Sequence, residues 1–183
     1  MRDKLTLRAK REGYLARSAY KLLSLNSKYN IIKKGDKVLD LGCWPGSWIQ
    51  VCLNLKCDVT GVDIKKVDFE GVNFIEGDIY DKNLLDKLGK FNVVLSDLAP
   101  KTTGIKHLDQ ARSLDLAYNA LDVAKNVLKE KGNFLCKIFQ SNDLDEFVRD
   151  VKKNFVFVKM SKPEASKKRS KEIYLIAKSK HNL

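Results

Sequence analysis

Val38-Leu39-Asp40-Leu41-Gly42-Cys43-Trp44-Pro45-Gly46-Ser47-Trp48 is the stretch on which the reading of this 183-residue chain turns. An apolar run stops at Gly42 and restarts as a helix after Pro45-Gly46. Unbroken apolar runs suit strands buried on both faces of a parallel sheet, whereas half-exposed strands alternate. Gly42 lets the backbone turn sharply and approach a ligand, since no Cβ stands in the way. A strand, a glycine-bearing turn and a helix N-terminus together make a cradle for a nucleotide. The same three pieces also serve as a plain connection, so the rest of the chain has to decide.

Upstream, Ser18 is expected to cap a helix over residues 19–29. Leu22, Leu23 and Leu25 fall largely on its buried face, leaving Lys21 and Lys28 to other surfaces. Downstream, apolar runs alternate with amphipathic segments. Strands are expected over residues 37–42, 58–63, 72–78, 91–97 and 132–139, and helices over 46–54, 81–88, 108–129 and 143–153. Two final runs, 155–160 and 172–177, read as a hairpin around a basic loop. Such alternation predicts an α/β fold with a mainly parallel sheet. One domain over 1–183 is expected, led by a basic helical segment over about 1–34.

The net charge of +12 is unevenly placed. Residues 1–37 hold eleven Lys/Arg against three Asp/Glu, and residues 159–183 hold eight against two, while the middle carries a small acidic excess. Two basic ends around a near-neutral core favour a polyanionic partner such as nucleic acid. No apolar run approaches membrane-spanning length, so no membrane partner is expected, and a soluble monomer is. The cytoplasm is the expected compartment, with mitochondrion or nucleus and nucleolus as alternatives. Cys43, Cys52, Cys57 and Cys136 lack paired CxxC spacing, and only His107 and His181 are available to join them. Buried reduced thiols are expected rather than a metal site.

Asp63 stands at the end of the second expected strand, 23 residues after Asp40. In nucleotide-binding βαβ units, an acid about 20 residues on accepts hydrogen bonds from ribose hydroxyls. Asp78 and Asp97 close the third and fourth strands, so three carboxylates line one crevice beyond the strand ends. The turn has one glycine fewer than G-x-G-x-x-G and carries bulky Trp44 and Pro45. A pyrophosphate fits poorly among carboxylates, whereas a cationic adenosine ligand fits well. S-adenosylmethionine, with a sulfonium and an ammonium, has that charge.

Four charged residues stand where folding alone would not place them. Lys21 sits in a leucine-rich helix, Asp97 follows Val93-Val94-Leu95, Lys137 interrupts Phe134-Leu135-Cys136-Lys137-Ile138-Phe139, and Glu172 opens the last run. A lysine in a buried strand is costly unless paired or used, so Lys137 is the sharpest anomaly.

With these residues in view, the chain resembles the RrmJ/FtsJ family of RNA ribose 2′-O-methyltransferases over nearly its whole length. The matching pieces are Ala16-Arg17-Ser18-Ala19-Tyr20-Lys21-Leu22, the turn from Asp40 to Trp48, Ser96-Asp97-Leu98-Ala99-Pro100, Lys137-Ile138-Phe139-Gln140, and Arg169-Ser170-Lys171-Glu172-Ile173-Tyr174. The resemblance implies a Rossmann-like methyltransferase fold, with helices on both faces of a seven-stranded, mainly parallel sheet whose last strand is antiparallel. It places a catalytic tetrad on Lys21, Asp97, Lys137 and Glu172. It places cofactor contacts on Gly42, Pro45, Gly46, Trp48, Asp63, Ile64, Asp78, Ile79 and Asp97. One departure stands out: where the family usually has two alanines before the proline and two glycines after it, this chain has Cys43-Trp44 and Gly46-Ser47.

The reaction the resemblance implies is methylation of a ribose 2′-oxygen in ribosomal RNA, with a large-subunit uridine as the expected target. Lys137 is the expected general base, with Asp97 orienting it and Lys21 supplying a like charge. A free lysine has a pKa of about 10.4, and poising it near 7 takes roughly 4 kcal/mol of differential interaction. The other role open to Lys137 is a charged guide for the developing oxyanion. Glu172 is expected to orient Lys21 or the ribose. Arg2, Arg8, Lys10, Arg11 and Arg17 at one end, and Lys167, Lys168 and Arg169 at the other, are expected to grip RNA phosphates. Tyr14 and Tyr20 are candidates for base stacking, with core packing an equal alternative for Tyr20. The competing readings are a tRNA or mRNA-cap ribose methyltransferase, a non-catalytic RNA-binding assembly module, and a dinucleotide oxidoreductase.

Overall fold

The computed structural model describes residues 4–163, 165–166 and 170–181. A helix α1 (Lys4–Arg11) and a helix α2 (Ala19–Tyr29) precede β1 (Lys37–Leu41), α3 (Ser47–Asn54), β2 (Asp58–Asp63) and β3 (Asn73–Glu76). Then come a single 3₁₀ turn (Leu85–Lys87), β4 (Phe91–Ser96), α4 (Lys106–Val127), β5 (Leu128–Phe139), α5 (Leu144–Lys152), β6 (Phe155–Ser161) and β7 (Glu172–Lys180). The seven strands form one sheet in the order β3-β2-β1-β4-β5-β7-β6. The β3-β2-β1-β4-β5 pairings are parallel, and β7 runs antiparallel to both β5 and β6.

Both faces of the sheet are covered, which is why β1 after Lys37 reads as an apolar run broken only by Asp40 rather than as an alternating strand. Val38 packs toward α2 and α3, while Leu39 and Leu41 pack toward α4. The strand order reverses between β1 and β4. In such sheets the crevice beyond the strand ends at this switch point is where ligands bind, and everything described below gathers there.

Several local expectations are corrected. Ser18 does not cap α2: its backbone is already helical, and its hydroxyl lies 2.7 Å from that of Ser47. On α2, Lys21 packs inward beside Leu22 and Leu25, while Leu23 is exposed. Residues i, i+1 and i+4 fall within a stripe about 100° wide, and i+2 lies on the far side of the helix. The expected helix over 81–88 shrinks to one turn because the Asp81 carboxylate accepts the Asn83 N–H, a local bond that competes with helix. Helix α4 ends at Val127, before the expected 129, and β5 starts early at Leu128. Lys131 then takes a positive φ of 60°, and the β4–β5 register shifts, as in a bulge.

The basic leading segment docks rather than trailing free. Tyr20 is buried and donates its hydroxyl to Glu12, while the Arg8 guanidinium pairs with Glu12 and lies over the Tyr20 ring. Tyr20 is therefore part of the packing, not a platform for a base.

Candidate active site

Glycine shapes the turn at two points. Gly42 has φ +74°, and a Cβ there would stand 2.6 Å from Leu98 Cδ2, so its absence lets the loop after β4 close on the turn. Gly46 has φ +106°, and a Cβ there would stand 2.2 Å from the Phe69 ring.

A cleft of about 700 Å³ opens beyond the ends of β1, β2 and β4. Of the sequence-expected cofactor residues, Gly42, Asp63, Ile64, Asp78, Ile79 and Asp97 line it. The other three do not. Trp48 is buried, donates its indole N–H to the Ser18 carbonyl at 2.9 Å and lies 6.0 Å from the Tyr174 ring. Its side chain is a strut between α2 and α3 and lies off the cleft. Pro45 and Gly46 likewise shape the turn without lining the cleft.

Asp63 is fixed in place by main-chain donors. Its Oδ2 accepts the Trp44 N–H at 2.9 Å and its Oδ1 the Lys65 N–H at 2.8 Å. Each oxygen keeps a lone pair for a ribose hydroxyl. Asp78 accepts the Tyr80 N–H at 3.1 Å. Three carboxylates beside apolar walls suit a cationic adenosine, so the residues present fit S-adenosylmethionine.

Lys21, Asp97, Lys137 and Glu172 come together as two ion pairs. The Lys137 ammonium nitrogen lies 3.1 Å from Asp97 Oδ1 and donates to the Asp97 main-chain carbonyl at 2.7 Å. The Lys21 Nζ donates to Glu172 Oε2 at 2.6 Å. Both lysine side chains are nearly inaccessible, at 6% and 7%. Burial pushes the Glu172 carboxyl up, but the Lys21 hydrogen bond and charge, the Lys137 charge and the Ser170 hydroxyl together hold it below the usual range.

Tyr174, which the sequence reading assigned no role, joins the pairs. It stands opposite Lys137 in the β5–β7 register, donates its hydroxyl to Asp97 Oδ1 at 2.8 Å and lies 5.8 Å from the Lys21 ammonium. Burial, then the Asp97 carboxylate, push its phenol far above 10. The available signal was its place two residues after Glu172, on the same face of one strand.

The tetrad sits between two cavities. Asp97 lines the first, while Glu172 lines a second of about 400 Å³ together with Arg17, Lys106, Gln110, Phe139 and Lys171. Arg17 thus lies at the site, and Lys10 and Arg11 are exposed on α1. Arg8 is exposed but engaged with Glu12. Arg2, Lys167, Lys168 and Arg169 lie outside the described residues. All four cysteines are buried and free, and no helix among the described residues is long and apolar enough to cross a membrane.

Beneath the turn, Asp40 is fully buried and neither carboxylate oxygen has a partner. Burial first, then the charges of Asp97 and Asp63, hold its carboxyl well above the usual range. The folded state therefore binds this proton more tightly than the unfolded chain, where the pKa is about 3.9. Its contribution is fully present below that pH and is lost as pH rises through the folded value. We predict that Asp40→Asn matches wild type in thermal melts near pH 4 and exceeds it at pH 8, by about 2–4 °C for each kcal/mol relieved. Equal melting temperatures at both pH values would contradict the prediction.

Comparison with known proteins agrees with this geometry. Residues 14–180 match the family model for FtsJ-like methyltransferases. The chain is 44% identical to a ribosomal RNA large subunit methyltransferase E of Desulfatibacillum aliphaticivorans, covering 98% of this chain and 91% of the relative. It is also 44% identical to the protein of that name from Archaeoglobus fulgidus, over 93% and 92%. A crystal structure of a candidate ribosomal RNA methyltransferase from Plasmodium falciparum superposes with a TM-score of 0.82 at 32% identity, covering 91% of this chain and 98% of that one.

Proposed function

Because the chain belongs to the FtsJ-like methyltransferase family, we propose that it is an S-adenosylmethionine-dependent enzyme that methylates a ribose 2′-oxygen in large-subunit ribosomal RNA, with a uridine as its target. The observation that carries this reading is the position of the tetrad between an acid-lined cleft and a cation-rimmed cavity. The first takes the cofactor and the second the RNA ribose, so the paired charges stand where the two meet. Site and cleft are complete within one chain, which supports a monomer. The bacterial and archaeal relatives favour a cytoplasmic setting.

When bound, S-adenosylmethionine supplies an electrophilic methyl group on a sulfonium, whose C–S bonding pair stays on sulfur as the thioether leaves. What the protein must do is bring the 2′-oxygen in line and remove its proton. We assign the proton to Lys137. As a neutral amine it has two N–H donors and one lone pair. The Asp97 carbonyl and carboxylate take the two donors, and the lone pair is left to face the hydroxyl. Glu172 holds Lys21 beside this group, where the Lys21 charge favours oxyanion character at the attacking oxygen. Tyr174 fixes the Asp97 carboxylate from the opposite side.

The test is transfer of labelled methyl groups to isolated large ribosomal subunits, transfer RNA and capped RNA in parallel. The expected result is incorporation into the large-subunit RNA. Label confined to transfer RNA or to capped RNA would overturn the substrate assignment, and no incorporation anywhere would favour a binding module.

A further inference from the structure

Trp44 has no part in the chemistry above, yet it is half exposed at the rim of the cofactor cleft. Two other large apolar side chains left exposed, Ile64 and Tyr80, line the same cleft. Exposed aromatic surface gathered on one concavity marks a binding site rather than chance. The local hydrogen bonds say what it faces. The carboxylate of Asp63 accepts the main-chain N–H of Trp44 on one oxygen and that of Lys65 on the other. The same two residues then meet again through their side chains, with the Lys65 ammonium 4.2 Å from the centroid of the Trp44 ring. One carboxylate thus anchors both halves of an indole–ammonium pair beside itself. Asp63 ends β2, and β1 lies between it and β4, the strand that Asp97 follows. The pair therefore stands at the ribose end of the cleft, on the far side from the tetrad.

We propose that Trp44, braced by Lys65, is a binding residue for the adenosine end of the cofactor, closing a flat apolar wall over the nucleoside while Asp63 takes the ribose hydroxyls. The inference rests on the cofactor reading given above and adds to it the residue that sets affinity for the nucleoside. An aromatic wall on a nucleoside accounts for about three- to tenfold in affinity. The contact gives nothing to the amino-acid end, so its removal affects ligands with and without that end alike.

The experiment measures dissociation constants of S-adenosylhomocysteine and of 5′-methylthioadenosine, which lacks the amino-acid portion, for wild type and Trp44→Ala. Both are expected to weaken by the same three- to tenfold, with Trp44→Phe close to wild type. Intrinsic fluorescence gives an independent reading, since the chain has two tryptophans and Trp48 is buried off the cleft. The emission change on adding S-adenosylhomocysteine is expected in wild type and lost in Trp44→Phe. Unchanged affinity for both ligands, a loss confined to S-adenosylhomocysteine, or a full emission change in Trp44→Phe would overturn the proposal. Failure of wild type to bind either ligand would sink the cofactor reading itself, and this inference with it.

Discussion

Replacing Lys137 by alanine is expected to lower the methyl-transfer rate by about 10²–10⁴, the usual worth of a positioned base, while S-adenosylhomocysteine binds as in wild type. Lys137 reaches the site from β5 and does not line the cofactor cleft, so cofactor affinity has no reason to move. Lys137→Arg separates the two roles open to this side chain. A guanidinium keeps the charge but cannot accept a proton. If Lys137 is the base, the arginine variant is as inactive as the alanine one. If it only guides the oxyanion by its charge, arginine restores a substantial part of the rate. We expect the former. Unchanged turnover in Lys137→Ala would remove the residue from the mechanism.

Asp97 carries the second large effect, because three groups depend on it. It pairs with Lys137, accepts the Tyr174 hydroxyl and lines the cofactor cleft. Asp97→Ala leaves a nearly inaccessible ammonium with only a main-chain carbonyl for company. Breaking such a pair from one side costs about 3–5 kcal/mol, because the remaining charge stays buried without its counterion. That is a large share of a total stability of about 5–15 kcal/mol. Urea unfolding should show a much lower midpoint for Asp97→Ala, a smaller drop for Asp97→Asn, and no detectable methyl transfer in either. A wild-type midpoint in Asp97→Ala would mean that the pair contributes nothing to the fold.

These effects were partly legible beforehand, for identifiable reasons. Buried parallel strands announce themselves as apolar runs, so the five parallel strands are legible to within a few residues, and carboxylates at their ends point to one crevice. Lys137 was conspicuous because a charge inside such a run has few innocent explanations. The resemblance sets Asp97 beside Lys137 and offers Lys21 or the ribose to Glu172, but periodicity alone does not, since 151 residues separate Lys21 from Glu172 and 40 separate Asp97 from Lys137. The β4–β5 and β5–β7 registers and the docking of α2 bring them together. The place of the Trp48 side chain is hidden in the sequence for a related reason. An indole beside a glycine turn suits a ligand, and only the packing of α3 against α2 shows that its N–H is already engaged. The orphaned carboxylate of Asp40 was invisible as well, because partnerlessness is a property of surroundings that periodicity does not report.

The most direct measurement asks which atom receives the methyl group. RNA labelled by the enzyme is digested with alkali, which cleaves only next to a free 2′-hydroxyl. If the paired lysines and acids act on a ribose 2′-oxygen, the label survives in an alkali-resistant dinucleotide, and Lys137→Ala leaves none there. Label recovered wholly in mononucleotides would mean that a base is methylated, and would contradict the account.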